Sequence, residues 1–145
     1  MLGIMVSNAI NWSKILIYAS VLFFAQFAIG FAEGWFSPGV IDTSHIQIVL
    51  LFVLSTLTSF VVCTALFAHM AIYQANRPYL HAGLSLVLYG AAFFGLSVIL
   101  KPLLGSAPTL LIYFGWLTDI TGLLAGVFIG RAICRKRARI LEGVA

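Results

Sequence analysis

Four apolar runs, each of about eighteen residues or more, dominate this chain and leave little room for anything else. A run of that length matches the hydrocarbon thickness of a bilayer when it is helical. The first is residues 15–32, extending as a span to about 35. The others are residues 46–73, 82–100 and 109–132. The segments between them are short and carry proline and other turn residues, as in "QANRPYLH" and "KPLLGSAP". The expected fold class is therefore an all-α integral membrane protein, four transmembrane helices in a compact bundle, with residues 1–145 forming one membrane domain.

Composition agrees with this. Only 8% of the residues are charged, against about 25% in a soluble domain, so polar side chains cannot cover a globule of this size. The first run exceeds the usual core of a cleaved signal peptide and is expected to be a retained helix.

Charge placement orients the chain. Five of the eight Lys and Arg residues, Arg131, Arg135, Lys136, Arg137 and Arg139, form a basic tail over residues 131–145. Lys14 and Arg77 fall on the same side of a four-span topology, Glu33 and Asp42 on the other, and Lys101 alone dissents. The positive-inside rule then puts both termini in the cytoplasm, in a bacterial inner membrane. Trp35, Phe36, Tyr113 and Trp116 fall near the outer interface, where aromatic belts belong. The tail is expected to contact anionic headgroups, at about 1 kcal/mol per basic residue. Nucleic acid is not an expected partner, because no base-reading or stacking groups are interleaved with these charges.

Depth along each span singles out a polar layer. At about 1.5 Å rise per residue, Asp119 lies roughly 15 Å into the fourth span, near the midplane of a ~30 Å core. Gln26 reaches a similar depth in the first span. In the second span Ser55, Thr56, Thr58 and Ser59 fall there, and in the third Tyr89 is close to it. An ionised aspartate at a helix centre costs about 3 kcal/mol on insertion scales, and every Lys and Arg lies at a span end. Asp119 is therefore expected to hydrogen-bond to Gln26 or to a hydroxyl of the second span. Such a carboxyl serves either as a proton or cation relay or as polar glue between helices, and glue is favoured because the layer holds no second carboxyl.

The same span carries a small-residue stripe. Gly122, Gly126 and Gly130 repeat every four residues, and Gly115 and Asp119 continue the face. Such a face allows close backbone approach. Ala91 and Gly95 in the third span, and Gly30 and Gly34 in the first, offer matching surfaces. The partner of this stripe is either another span of the chain or another subunit; its length relative to a small bundle core points outward, to a homo-oligomer or a larger membrane complex.

Enzymatic chemistry is not expected. Neither HExxH nor GxSxG occurs, and no pair of carboxylates has useful spacing. Cys63 and Cys134 form no CxxC motif and read as reduced and structural. His69 and His81 flank the second loop on one side of the membrane, where two facing histidines would hold a haem b. That reading ranks last, and neither a metal nor a cofactor is expected. The leading expectation is a small accessory, inhibitor or immunity-type protein binding another membrane protein, or itself, through the glycine face. The alternative is a small oligomeric proton- or cation-linked transporter or channel using Asp119 and Gln26.

Overall fold

In the computed structural model, which describes residues 10–36, 45–74, 77–104 and 109–142, each apolar run is a single helix. These are α1 (Trp12–Phe36), α2 (His45–Tyr73), α3 (Pro78–Leu104) and α4 (Thr109–Glu142). All four are long and apolar enough to cross a membrane, and together they form a compact all-α bundle.

Local chemistry sets the helix starts. Asn11 caps α1, its Oδ1 accepting the Lys14 backbone N–H at 3.1 Å. At α3, Pro78 occupies the first helical position, where a missing N–H costs nothing. The residue before it, Arg77, has φ of 52°, a strained setting for a side chain with a Cβ. Its carbonyl accepts the backbone N–H groups of Leu80 and His81 at 3.1 and 3.2 Å, and the His81 ring besides.

Two helix ends differ from the sequence expectation. The third helix continues through Lys101 and Pro102 to Leu104. The fourth does not stop at 132 but continues for 34 residues in all, to Glu142. That is about 50 Å of helix, so the basic segment extends well past a ~30 Å hydrocarbon core as a rigid, exposed rod. Residues 131–142 contain neither glycine nor proline to break it.

Contacts show that the helices alternate in direction. Tyr18 near the start of α1 bonds His69 near the end of α2. Asn11 bonds His81 at the start of α3, and Arg131 of α4 lies over the Tyr79 ring, 5.7 Å from its centroid. Seven of the eight basic residues thus gather at one end of the bundle, termed the basic end below; Lys101 is the exception.

Around the bundle α1 packs on α2 and α3, and α4 packs on α2 and α3. Across it α2 meets α3, whereas α1 and α4 make no close backbone contact among the described residues. The buried apolar residues are Ile15, Ala19 and Leu22 of α1, Cys63, Phe67, Met70 and Ala71 of α2, Ala82, Leu86 and Tyr89 of α3, and Leu123 and Val127 of α4. Every one lies between the basic end and the midplane. Among the described residues the core stops at the level of Asp119.

Candidate functional site: a four-helix polar cluster at the floor of an open half

The cluster is built from one side chain per helix. On α1 the buried positions Ile15, Ala19 and Leu22 recur at helical spacing, and the next position on that face is Gln26. On α4 the buried face runs through Asp119, Gly122, Leu123, Gly126, Val127 and Gly130. Asp119 is therefore carried into the interior, with only 5% of its surface exposed.

Asp119 meets an amide donor from α1. Gln26 Nε2 donates to its Oδ1 at 3.2 Å, and the buried Tyr89 of α3 lies beside the same carboxyl group. On the far side of Gln26, the Ser59 hydroxyl donates to Oε1 at 2.7 Å. One connected run, Ser59–Gln26–Asp119, thus joins α2, α1 and α4, with Tyr89 of α3 packed beside it. The Cys63 thiol donates to the Asp119 main-chain carbonyl at 3.5 Å, tying the backbone of the same residue to α2.

Gln26, Ser59, Tyr89 and Asp119 are thus brought together, whereas Ser55 and Thr56 stay out of the run. Their hydroxyls bond the Phe52 carbonyl of their own helix at 3.1 and 2.7 Å, as mid-helix hydroxyls readily do. They also sit about one turn further from the basic end than Ser59, beyond reach of Gln26.

The glycine face requires a larger correction. Gly122, Gly126 and Gly130 are buried against α2 of the same chain and are not open to another subunit. A Cβ on Gly126 would lie 2.5 Å from the Thr64 carbonyl oxygen, and one on Gly130 2.5 Å from that of Ala68. On Gly122 it would lie 2.9 Å from Cys63 Cβ. Ala91 and Gly95 cannot be the facing surface, for a reason of depth. They lie beyond Tyr89, on the far side of the polar layer, whereas Gly122 to Gly130 lie on the near side. Gly115 is also beyond the layer, and a Cβ there would meet nothing within 4 Å. The stripe is therefore two surfaces that part at Asp119.

Trp116 makes a contact that depth and belt rules do not foresee. Three residues before Asp119, it lays its indole ring directly on the backbone of Gly90, in the space a Cβ would fill. The ring closes α4 onto α3 just above the cluster. The three-residue offset from Asp119 is the signal in the sequence that places it on the same face, and it outweighs the aromatic-belt expectation of an interfacial ring.

The histidines are engaged by the protein. His69 Nδ1 and the Tyr18 hydroxyl are 2.8 Å apart. His81 faces the Arg77 carbonyl through Nδ1 at 3.1 Å and receives the Asn11 backbone N–H on Nε2 at 3.2 Å. Both ring nitrogens of His81 are thus occupied, so it has none left for a haem iron; His69 is held through Nδ1 alone. Among the described residues no three His, Cys, Asp or Glu side chains are grouped as a metal would need.

The basic residues Arg131, Arg135, Lys136, Arg137 and Arg139 are all exposed on the α4 extension. Beyond the cluster, away from the basic end, Gly30, Gly34 and Gly95 would each tolerate a Cβ with nothing within 4 Å, and Ala91 is exposed. Phe27, Phe31, Trp35, Phe93 and Phe94 stand exposed around them. Among the described residues the polar cluster is thus the floor of a loosely packed half. No protein-family model, curated protein or solved structure gives a significant match to this chain.

Proposed function

We propose that this small polytopic membrane protein is an interaction protein of the bacterial inner membrane, an accessory, inhibitor or immunity-type subunit. Its partner, another membrane protein or a second copy, would pack against the outer halves of α1 and α3. The observation that carries this is the end of the core at Asp119 among the described residues, with Gly30, Gly34, Ala91 and Gly95 unpartnered by them beyond it. Small positions of this kind allow a further helix to approach closely, with dispersion and Cα–H contacts in place of side chains. The glycine face of α4, already filled by α2, does not serve this purpose. The basic end would face the cytoplasm.

Site-specific photocrosslinking tests it. A photoreactive residue at Gly34 or Ala91, in cells, should give a discrete higher-mass adduct, and one at Phe128 on the inner half should not. Equal labelling at all three sites, or none at Gly34 and Ala91, would refute the proposal.

A second reading, a proton- or cation-linked transporter, draws on the single carboxyl at the point where packing stops. Glu33 is half-buried on the α1 face of Gln26, two turns further out, which gives a polar step toward the far end. Asp119→Asn keeps a polar group of the same shape. Under this reading it abolishes pH-driven flux in liposomes; under the first reading crosslinking to the partner persists.

A further inference from the structure

Between α1 and α2 at the basic end lies a groove of about 680 Å³, lined by Lys14, Ile17, Tyr18 and Val21 on one side and by Val62, Ala65, Leu66 and His69 on the other. Its chemistry is graded. The mouth carries Lys14, Tyr18 and His69, and everything deeper is hydrocarbon. From Lys14 to Val21, and from His69 to Val62, the wall runs seven residues, about 10 Å along the helix axis.

We propose that this groove holds one anionic phospholipid of the surrounding leaflet, its phosphate at Lys14 and an acyl chain along Val21, Val62 and Leu66. The Lys14 ammonium needs an anion. Among the described residues its side chain makes one hydrogen bond, a long one of 3.5 Å, to the Tyr73 carbonyl at the end of α2. Of the acidic residues among those described, Glu33 lies at the far end and Asp119 at the midplane. Glu142 stands at the tip of the α4 extension, eleven residues past Arg131 and roughly 16 Å along the axis. The second donor is His69. When the Tyr18 hydroxyl donates to His69 Nδ1, the proton of the neutral ring sits on Nε2, an N–H donor at the mouth. A phosphodiester accepts from both. Free phosphate would leave the apolar wall unfilled, and a zwitterionic headgroup would set its own cation beside Lys14.

Native mass spectrometry of the full chain, released from detergent with added lipid, tests this. Phosphatidylglycerol should be retained in preference to phosphatidylcholine, as one lipid per chain. Lys14→Gln should lower its retention about fivefold, the factor expected of one basic residue at an anionic surface, while the charge-matched Arg139→Gln changes it by less than twofold. Ala65→Phe narrows the groove from its exposed lip and should reduce retention with Lys14 intact. Millimolar inorganic phosphate should not compete. Circular dichroism and SDS titration of each variant identify any that fail to fold. Equal loss in Lys14→Gln and Arg139→Gln would mean diffuse attraction by the basic end, and displacement by inorganic phosphate would mean an anion site without a lipid; either overturns the proposal.

Discussion

Gln26 reaches Asp119 across the one diagonal of the bundle that the backbones leave open, its Nε2 3.2 Å from the carboxyl Oδ1. The same amide takes the Ser59 hydroxyl at 2.7 Å, so a single side chain links α1 to both members of the α2–α4 pair. Interhelical hydrogen bonds in membranes are worth about 0.6–1 kcal/mol each. Gln26→Leu should therefore destabilise the bundle by about 1–2 kcal/mol, read as a lower SDS midpoint. No loss would mean that the layer does not hold the helices.

The α2–α4 contact is the tightest in the molecule, and it has no room for side chains at the crossing. Gly126→Leu would drive a branched chain into the Thr64 carbonyl and the Phe67 side chain, costing about 3 kcal/mol as overpacking. Gly115→Leu, on the same helix but beyond the layer, should change stability by less than about 0.5 kcal/mol. Matching losses in SDS titrations would contradict a stripe divided at Asp119.

Trp116 offers an optical readout of the α3–α4 contact. In a background with Trp12→Phe and Trp35→Phe, Gly90→Ala should displace the indole and shift its emission, because a methyl group would occupy the ring's present position. Ala91→Gly, one residue along and exposed, should leave the spectrum unchanged.

Topology is expected to depend on the α4 extension. Replacing Arg131, Arg135, Lys136, Arg137 and Arg139 by Gln removes most of the charge asymmetry that orients the spans. Labelling with a membrane-impermeant thiol reagent, on cysteines placed at Ser7 and Lys101, should then report mixed orientations where the parent chain reports one.

Much of the fold is legible in the sequence, for a plain reason: in lipid, backbone hydrogen bonding forces each long apolar run to be a helix. Depth is legible too, since counting residues along each span is enough to put Asp119, Gln26 and Tyr89 in one layer. Azimuth is not. Ser55, Thr56, Thr58 and Ser59 all sit near the right depth, and only the rotation of α2 decides that Ser59 meets Gln26 while Ser55 and Thr56 turn to Phe52. The partner of the glycine stripe is hidden similarly. With hydrophobic residues on every side of every span, no amphipathic face identifies the neighbour, and α2 carries no glycine to advertise the match. Helix length past the membrane is readable in principle, since the arginines and lysines of the tail are good helix formers without a breaker until Gly143.

The hydrogen-bonded run through Gln26 also imposes an order on biogenesis. The amide belongs to α1 and is synthesised before the carboxyl of α4. While the ribosome is still making α4, Ser59 can already occupy one side of Gln26, but its other side has no acid to meet. Asp119 in turn enters the bilayer as a liability that only a finished bundle removes. A nascent chain whose α1 and α4 fail to come together leaves the Asp119 carboxyl without its amide partner in hydrocarbon. The pairing therefore becomes available only after α4 has entered the bilayer beside α1.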